Sequence, residues 1–186
     1  MRYTIVIMSL LIEIGGLAGQ KDLRAVFWGM SPKEVAQVET GRLVRMEGDT
    51  VLTYYVGMLG MAGYIHYHFV DGKLAEAQYD LARHMEFTAM DYEADFDRFV
   101  RLWSERYGEP FQQVDISSVH FYRAHPEDND IGIYHGHVTP IAEWSTPRTR
   151  IYAVMRGDDD KRLLHLNIVY YHQDDLHRHP DRLMWW

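Results

Sequence analysis

The chain contains no cysteine among its 186 residues. This absence excludes disulfides, thiolate metal sites, a cysteine nucleophile and a lipid-modified cysteine at the N-terminus. Long apolar runs are also missing: no run of about 20 residues, the length that a membrane-spanning helix needs, is both apolar throughout and free of charge. We therefore expect no disulfide framework and no transmembrane segment.

Basic residues are few and scattered along the chain. The 19 lysines and arginines are outnumbered by 27 aspartates and glutamates, which gives a formal net charge of −8. Binding to a phosphate backbone needs a concentrated basic surface. We therefore expect no nucleic-acid partner.

Catalytic motifs are missing as well. There is no Gly-x-Ser-x-Gly sequence, and Ser117-Ser118 ahead of His120 is local adjacency rather than the geometry of a catalytic triad. Carboxylates are plentiful, but no pattern pairs two of them in a cleft. We therefore expect a protein that is not an enzyme and has no cofactor.

Hydrophobic residues, by contrast, are abundant. They make up 47% of the chain, and aromatic residues make up 13%. This content is enough to bury a core, and the length suits one domain or two small halves.

The N-terminus has the order of a secretory signal peptide. Arg2 precedes an apolar run from Tyr3 to Ile12, and Gly16-Leu17-Ala18 offers small residues where a signal peptidase cleaves. We predict a signal peptide over residues 1–18 and a periplasmic or secreted protein. Glu13 is unusual at the end of such a segment, and the alternative is a first strand or buried helix of a cytoplasmic protein.

The remaining chain divides into two similar halves, each with one helix followed by three strand-like runs. Residues 22–82 form the first unit and residues 90–172 the second. Residues 111–140 are interpreted as an insertion or long loop with one short strand, and residues 173–186 as a polar tail. We predict an α+β fold of two tandem αβββ units, with helices packed on one sheet face.

The two helices have clear sequence signals. Ser31 is a good N-cap, Pro32 suits the first helical position, and Glu34 completes a capping box. Asp91 is predicted to cap the second helix, whose broad apolar stripe recurs at helical spacing until Gly108 ends it.

The first hairpin is predicted from its alternation. Tyr67 and the residues at every second position from it face one side of the predicted sheet. A three-residue loop over residues 70–72 places the apolar residues of both strands on that same side. This register places His66 opposite Glu76 and Tyr67 opposite Ala75. In the second hairpin, Ile151, Ala153 and Met155 align with Leu164, Leu166 and Ile168 across a four-residue loop.

Two short motifs carry a resemblance to known proteins. They are Trp28-Gly29-Met30-Ser31 with Glu34-Val35, and Phe69-Val70-Asp71-Gly72-Lys73-Leu74. With the helix and three strands given twice, the chain resembles the tandem fold of the β-lactamase inhibitor protein. Each half also resembles the small outer-membrane lipoprotein domain of the β-barrel assembly machinery, and the motifs are similar to those of many uncharacterised exported bacterial proteins.

This resemblance implies protein–protein binding through an open sheet face, and it transfers no catalytic residues. The chain departs from these proteins because it lacks the lipid-anchor cysteine and the inhibitor's disulfides, and because its second half carries the insertion.

The predicted outward face of the sheet collects aromatic and polar side chains of the kind common at interfaces, where they bury area and keep a polar group available. The candidate binding residues are Tyr64, His66, Tyr152, His165, Asn167 and Tyr171. We expect a protein or peptide partner there, with a contribution from residues 132–140. The alternatives are a solvated face whose tyrosines only cover the sheet, and a domain that only stabilises a larger assembly.

A metal-dependent, hydrolase-like activity is the rival function. His66 and His68 lie on one strand face, about 7 Å apart by the rise of a strand. Glu76 is a predicted neighbour and His165 a candidate fourth ligand, so the set could hold zinc. The alternative is that these are ordinary polar residues on a solvated face. Weaker candidates for a metal are His135-Gly136-His137 and the later histidines His172, His177 and His179.

Overall fold

The computed structural model describes residues 22–86 and 91–174. The predicted signal peptide over residues 1–18 lies outside the described residues, and so does the predicted polar tail beyond residue 174.

Eight strands form one antiparallel sheet in the order β1-β2-β3-β4-β8-β7-β6-β5. The strands are β1 (Arg42–Glu47), β2 (Val51–Met58), β3 (Met61–Val70), β4 (Lys73–His84), β5 (Gln112–Ser117), β6 (Val138–Ser145), β7 (Thr149–Asp158) and β8 (Leu163–His172). The helices are α1 (Pro32–Val38), α2 (Tyr92–Tyr107), α3 (His120–Ala124) and α4 (Asn129–Tyr134), with a 3-10 turn at Pro126–Asp128.

The predicted fold class, two tandem αβββ units with helices packed on one sheet face, is wrong. The structure is dominated by a single sheet: 48% of the described residues are strand and 26% are helix. Strand β4 pairs with β8 without interruption from Glu76↔Tyr171 to His84↔Leu163, so the two halves share one hydrogen-bonded ladder. Two separate units would leave the β4 and β8 edges unpaired, and pairing them satisfies their backbone groups.

The strands that the sequence did not predict, β1 and β5, are the two edges of the sheet. All the side chains of β1 are exposed, and those of β5 are exposed except for Ser117. Strand β1 lacks the alternation of apolar and polar residues from which a strand is predicted. Strand β5 alternates from Gln113 to Ser117, but its Val114 and Ile116 are exposed, so this alternation marks no buried face.

The predicted insertion at residues 111–140 contains ordered elements. It begins with β5 and continues through α3, the 3-10 turn and α4 into the start of β6. Helix α4 buries Ile133 and Tyr134. Helices α3 and α4 were missed because five or six residues are too few to show a helical period.

The helix predictions are confirmed. Ser31 caps α1 and forms the predicted capping box, in which the Ser31 N–H donates to Glu34 Oε2 at 2.8 Å and the Glu34 N–H donates to Ser31 Oγ at 3.4 Å. Helix α2 runs from Tyr92 to Tyr107, between Asp91 and Gly108 as expected, although Asp91 at the N-cap position makes no side-chain capping hydrogen bond.

The first hairpin differs from the predicted register. Val70 pairs with Lys73 across a two-residue turn, and both turn residues have positive φ, 51° for Asp71 and 71° for Gly72. The register then shifts between Phe69 and His68, so the ladder resumes at His68↔Glu76, with His66 opposite Gln78 and Tyr67 opposite Ala77. The extra residue, Ala75, forms a bulge that keeps Leu74 and Ala77 on the apolar side despite the short turn.

The second hairpin has the predicted faces and loop length. Ala153 pairs with Ile168 and Met155 with Leu166, and four residues separate β7 from β8. The alternation fixes this register because every second residue of both strands is buried.

The main core lies on one side of the sheet, and every helix contributes to it. Val35 of α1, Phe99 of α2, Tyr122 of α3 and Ile133 of α4 belong to or pack against one apolar cluster. We call this side of the sheet the core face. Fully buried Trp144 of β6 meets Phe99 edge-to-face, with ring centroids 5.9 Å apart. None of the helices in the described ranges is long and apolar enough to cross a membrane.

Candidate functional site

The side of the sheet opposite the core face carries a second set of side chains, which we call the open face. In the central strands β3, β4, β8 and β7, the register defines four rows across it. The rows are Ala62–Ala82–His165–Arg156, Tyr64–Asp80–Asn167–Val154, His66–Gln78–Val169–Tyr152 and His68–Glu76–Tyr171–Arg150. The buried residues here form a small cluster separate from the main core.

Aromatic rings follow one another along β2 and β3 on this face. The ring centroids of Tyr55 and Tyr64 are 5.9 Å apart in an edge-to-face arrangement, and the Tyr64 ring is 6.2 Å from the His66 ring. Tyr55 and Tyr64 are each 41% exposed. Such side chains bring large contact area at little cost in conformational entropy, because each has only two rotatable bonds.

A second aromatic group lies on β7 and β8. The rings of Tyr152 and Tyr171 meet edge-to-face, with centroids 6.1 Å apart. Arg150 donates from Nε to the Tyr152 hydroxyl at 3.1 Å, and from Nη2 to Glu143 Oε2 at 3.0 Å. The guanidinium also lies 4.2 Å from the centroid of the Phe111 ring. These contacts fix the ends of long side chains, so this part of the face is ordered before any partner arrives.

The structure brings all six sequence-predicted binding residues, Tyr64, His66, Tyr152, His165, Asn167 and Tyr171, to the open face. They do not contribute equally. Tyr171 is only 6% exposed and therefore offers little surface, whereas Tyr64 projects from it. Sequence reasoning missed Tyr55, because β2 does not alternate between apolar and polar residues, and Leu52, Thr53 and Tyr54 are all buried.

Acidic side chains occupy the middle of the open face. Glu76 and Asp80 project from β4 between the two aromatic groups.

Burial lowers the pKa of His66, and the neighbouring His68 lowers it further, while Asp80 and Glu47 act in the opposite direction. Burial therefore favours the neutral form of His66, whose Nδ1 is 3.0 Å from Thr53 Oγ1.

The proposed metal ligands do not converge in the structure. The observed register puts Glu76 opposite His68 rather than His66, and the His66 and His68 ring centroids are 6.4 Å apart. His165 lies two strands away, opposite Ala82. Within residues 22–86 and 91–174, no group of three or more histidine, aspartate or glutamate side chains is arranged to hold a metal ion.

A polar cleft of about 600 Å³ adjoins the open face at the end of β7 and β8. Its walls include His137, Arg156, His165 and Asn167, together with the turn that carries Asp159. His135 Nδ1 is 2.8 Å from Asp159 Oδ2, so the β7–β8 turn is tied to the residue after α4.

The cleft depends on a close backbone approach at Gly157. A Cβ atom on this residue would lie 2.1 Å from the carbonyl oxygen of Ile133, so only glycine lets α4 lie this near to β7. Of residues 132–140, His135, Gly136 and His137 line this cleft, so the chain after α4 reaches the edge of the open face there. Of the later histidines, His172 has its ring centroid 5.7 Å from that of Trp28 in a tilted arrangement, and His177 and His179 lie outside the described residues.

The chain matches no protein-family model, no curated protein and no solved structure.

Proposed function

We propose that this protein is an exported, non-enzymatic binding module that recognises a protein or peptide through the open face. The observation that carries the proposal is the separation of the two sides of the sheet. The buried residues of α1, α2 and α4 go to the core face, while the open face presents Tyr55, Tyr64 and Tyr152 across the five strands from β2 to β7.

The residue types of the open face suit a protein partner. Tyrosine is enriched at interfaces and arginine is frequent among the residues that dominate binding energy. The open face combines tyrosine and arginine side chains with acidic Glu76 and Asp80, and the whole chain carries a net charge of −8. We therefore expect the partner to present apolar and basic side chains, which complement the two aromatic groups and the acidic residues between them.

Export and the family resemblance remain part of this proposal. The order of residues 1–18 favours a signal peptide, and the proteins that the chain resembles bind other proteins through an open sheet. A periplasmic or secreted location would place the open face among exported proteins.

Site-specific photocrosslinking tests the proposal. A photoreactive phenylalanine at position 64 should capture a partner in extracts of the source cells, while the same residue at position 121 should not. Phe121 is a suitable control because it is 50% exposed and lies on α3 rather than on the sheet.

The captured protein is then purified and titrated against the variants. We expect Tyr64→Ala to weaken its affinity about tenfold or more, the effect of removing an interface residue that contributes strongly to binding. Phe121→Ala should leave the affinity within about twofold, because its site lies off the interface. Equal losses for both variants, or crosslinks only from position 121, would contradict recognition through the open face.

A further inference from the structure

The polar cleft at the end of β7 and β8 has walls from three parts of the fold. Arg156 of β7 and His165 of β8 are direct partners in the ladder and form one wall, together with Asn167 of β8. The chain after α4 forms the second wall, and the turn between β7 and β8 forms the third. Every described residue that lines the cleft is charged, polar or glycine, so the cleft suits a ligand that is itself polar.

Backbone contacts hold the wall after α4 in place. The His137 N–H donates to the carbonyl oxygen of Gly132 at 2.7 Å, which ties this wall to the helix. A Cβ atom on Gly136 would lie 2.8 Å from the carbonyl oxygen of Gly157, so glycine lets the wall come close to β7. The cleft is therefore formed before a ligand arrives, and binding does not have to order its walls.

The strand wall carries a positive charge that no described residue neutralises. Within residues 22–86 and 91–174, the exposed guanidinium of Arg156 forms no ion pair or hydrogen bond, and neither does the side-chain amide of Asn167. The forked guanidinium donors match the two oxygens of a carboxylate, and the amide offers a further donor. This wall therefore suits a negatively charged group.

The turn between β7 and β8 carries three aspartates, of which two have partners. Asp158 Oδ1 accepts from the backbone N–H of Lys161 at 3.1 Å, and its Oδ2 accepts from Lys161 Nζ at 2.8 Å. Asp159 Oδ2 is 2.8 Å from His135 Nδ1. The hydrogen bond to Asp158 raises the pKa of Lys161, and the charge of Asp160 adds to that shift. Asp160 itself forms no ion pair or hydrogen bond in the part of the chain that the structure describes, so its carboxylate remains for a positively charged group.

We propose that this cleft binds a short peptide with free termini. Its C-terminal carboxylate binds Arg156, its N-terminal ammonium binds Asp160, and its peptide groups meet the neutral polar side chains of the cleft, such as Asn167. Capture of a terminal carboxylate or amine is a recurring mode of peptide recognition. A volume of about 600 Å³ lies within the range of ligand pockets and admits a peptide of a few residues. The cleft adjoins the open face, but this inference does not rest on the proposed protein partner.

Titration of the full chain with triglycine, by calorimetry or ligand-observed NMR, tests the proposal. Two matched probes each remove one charge: triglycinamide lacks the carboxylate, and N-acetyltriglycine lacks the ammonium. We expect saturable binding of triglycine, about tenfold or more tighter than that of either probe, since hydrogen bonds to charged groups are the stronger ones. No saturable binding of triglycine, or a blocked peptide that binds as tightly as triglycine, would overturn the proposal.

Single-residue variants assign the two charges. Arg156→Gln should weaken triglycine binding about tenfold and abolish the preference for triglycine over triglycinamide, because the carboxylate then has no guanidinium to bind. Asp160→Asn should weaken binding by a similar factor and abolish the preference over N-acetyltriglycine. Both side chains are exposed, so neither change disturbs the core. If both preferences survived the two substitutions, this assignment would be refuted.

Control variants remove the same charges elsewhere on the chain. Arg101→Gln on α2 and Asp49→Asn in the turn between β1 and β2 change exposed residues outside the cleft. Each should leave triglycine binding within about twofold, because distant surface charges are screened. Weakening equal to that of the cleft variants would mean that only the net charge matters, which would refute this site. Tyr64→Ala should also leave triglycine binding unchanged, and a loss there would place the peptide on the open face instead of in the cleft.

Discussion

At the scale of single residues, the carboxylate of Glu39 has the greatest need of hydrogen-bond partners, because its side chain is fully buried. The Tyr67 hydroxyl donates to Glu39 Oε2 at 2.5 Å, and the Gly41 N–H donates to Oε1 at 2.7 Å. Together with the ion pair to Arg24, these contacts replace the water that burial removes. Burial raises the pKa of Tyr67, and the hydrogen bond to Glu39 raises it further. The Tyr67 hydroxyl therefore keeps its proton at physiological pH and donates this hydrogen bond to Glu39.

We expect Tyr67→Phe to lower the free energy of unfolding by about 1–3 kcal/mol, because it leaves a buried carboxylate oxygen without its donor. Urea denaturation measures the change. Tyr64→Phe removes the same hydroxyl from a residue that is 41% exposed on the opposite side of the sheet, and it should change the stability by less than about 0.5 kcal/mol. Similar losses for the two variants would mean that the Glu39 contact contributes little.

At the scale of secondary-structure elements, the pairing of β3 with β4 depends on Gly63. A Cβ atom at this position would lie 2.0 Å from the carbonyl oxygen of Asp80, within the ladder itself. Gly57 of β2 offers a matched contrast, because a Cβ atom there would meet only the carbonyl oxygen of Met61, at 3.5 Å.

We therefore expect Gly63→Ala to destabilise the protein by about 1–3 kcal/mol, since β3 and β4 must move apart to admit the methyl group. Gly57→Ala should be neutral or slightly stabilising, because alanine loses less conformational freedom on folding and meets no clash. Thermal unfolding of both variants checks the contrast. If Gly63→Ala were as stable as Gly57→Ala, the close approach of β3 to β4 would be disproved.

At the scale of the whole molecule, the ladder between β4 and β8 makes one folding unit from two similar halves. The core faces of these strands meet at Leu81↔Leu166 and Tyr79↔Ile168, and all four side chains are buried. Two halves that share a ladder and a core should unfold together.

Hydrogen exchange detected by mass spectrometry tests this cooperativity. Leu166→Ala in β8 removes a fully buried side chain and should cost about 2–5 kcal/mol. We expect amide protection to fall equally in β2 and β3 of the first half and in β6 and β7 of the second. A control is Val114→Ala on the edge strand β5, where the side chain is 38% exposed and the change should be small. Loss of protection confined to the second half would show that the halves fold separately.

Much of the local structure was predictable from neighbouring residues. The capping box of Ser31 and Glu34 and the apolar stripe of α2 gave both helices correctly, because caps and helical periods involve residues within a few positions of each other. Alternation also assigned the faces of β3, β7 and β8, and with them the six candidate binding residues.

Other features depend on residues far apart in the chain. The bulge at Ala75 follows from the requirement that Leu74 and Ala77 both face the core, and alternation alone permitted a three-residue loop instead. The cleft beside Arg156 was also beyond sequence reasoning, because its walls come from β7, β8, the turn between them and the chain after α4.

The sequence by itself determined helices α1 and α2, most of the strands and the face on which the side chains of those strands lie, because these depend on propensity and period over short distances. Only the tertiary structure decided that the halves form one eight-stranded sheet, that β1 and β5 are its edges, and which side chains meet across it. The reason is physical. When β4 pairs with β8, the edge strand of each half gains backbone hydrogen bonds and buries apolar surface, which neither half could do alone. No pattern among neighbouring residues in the sequence predicts this pairing.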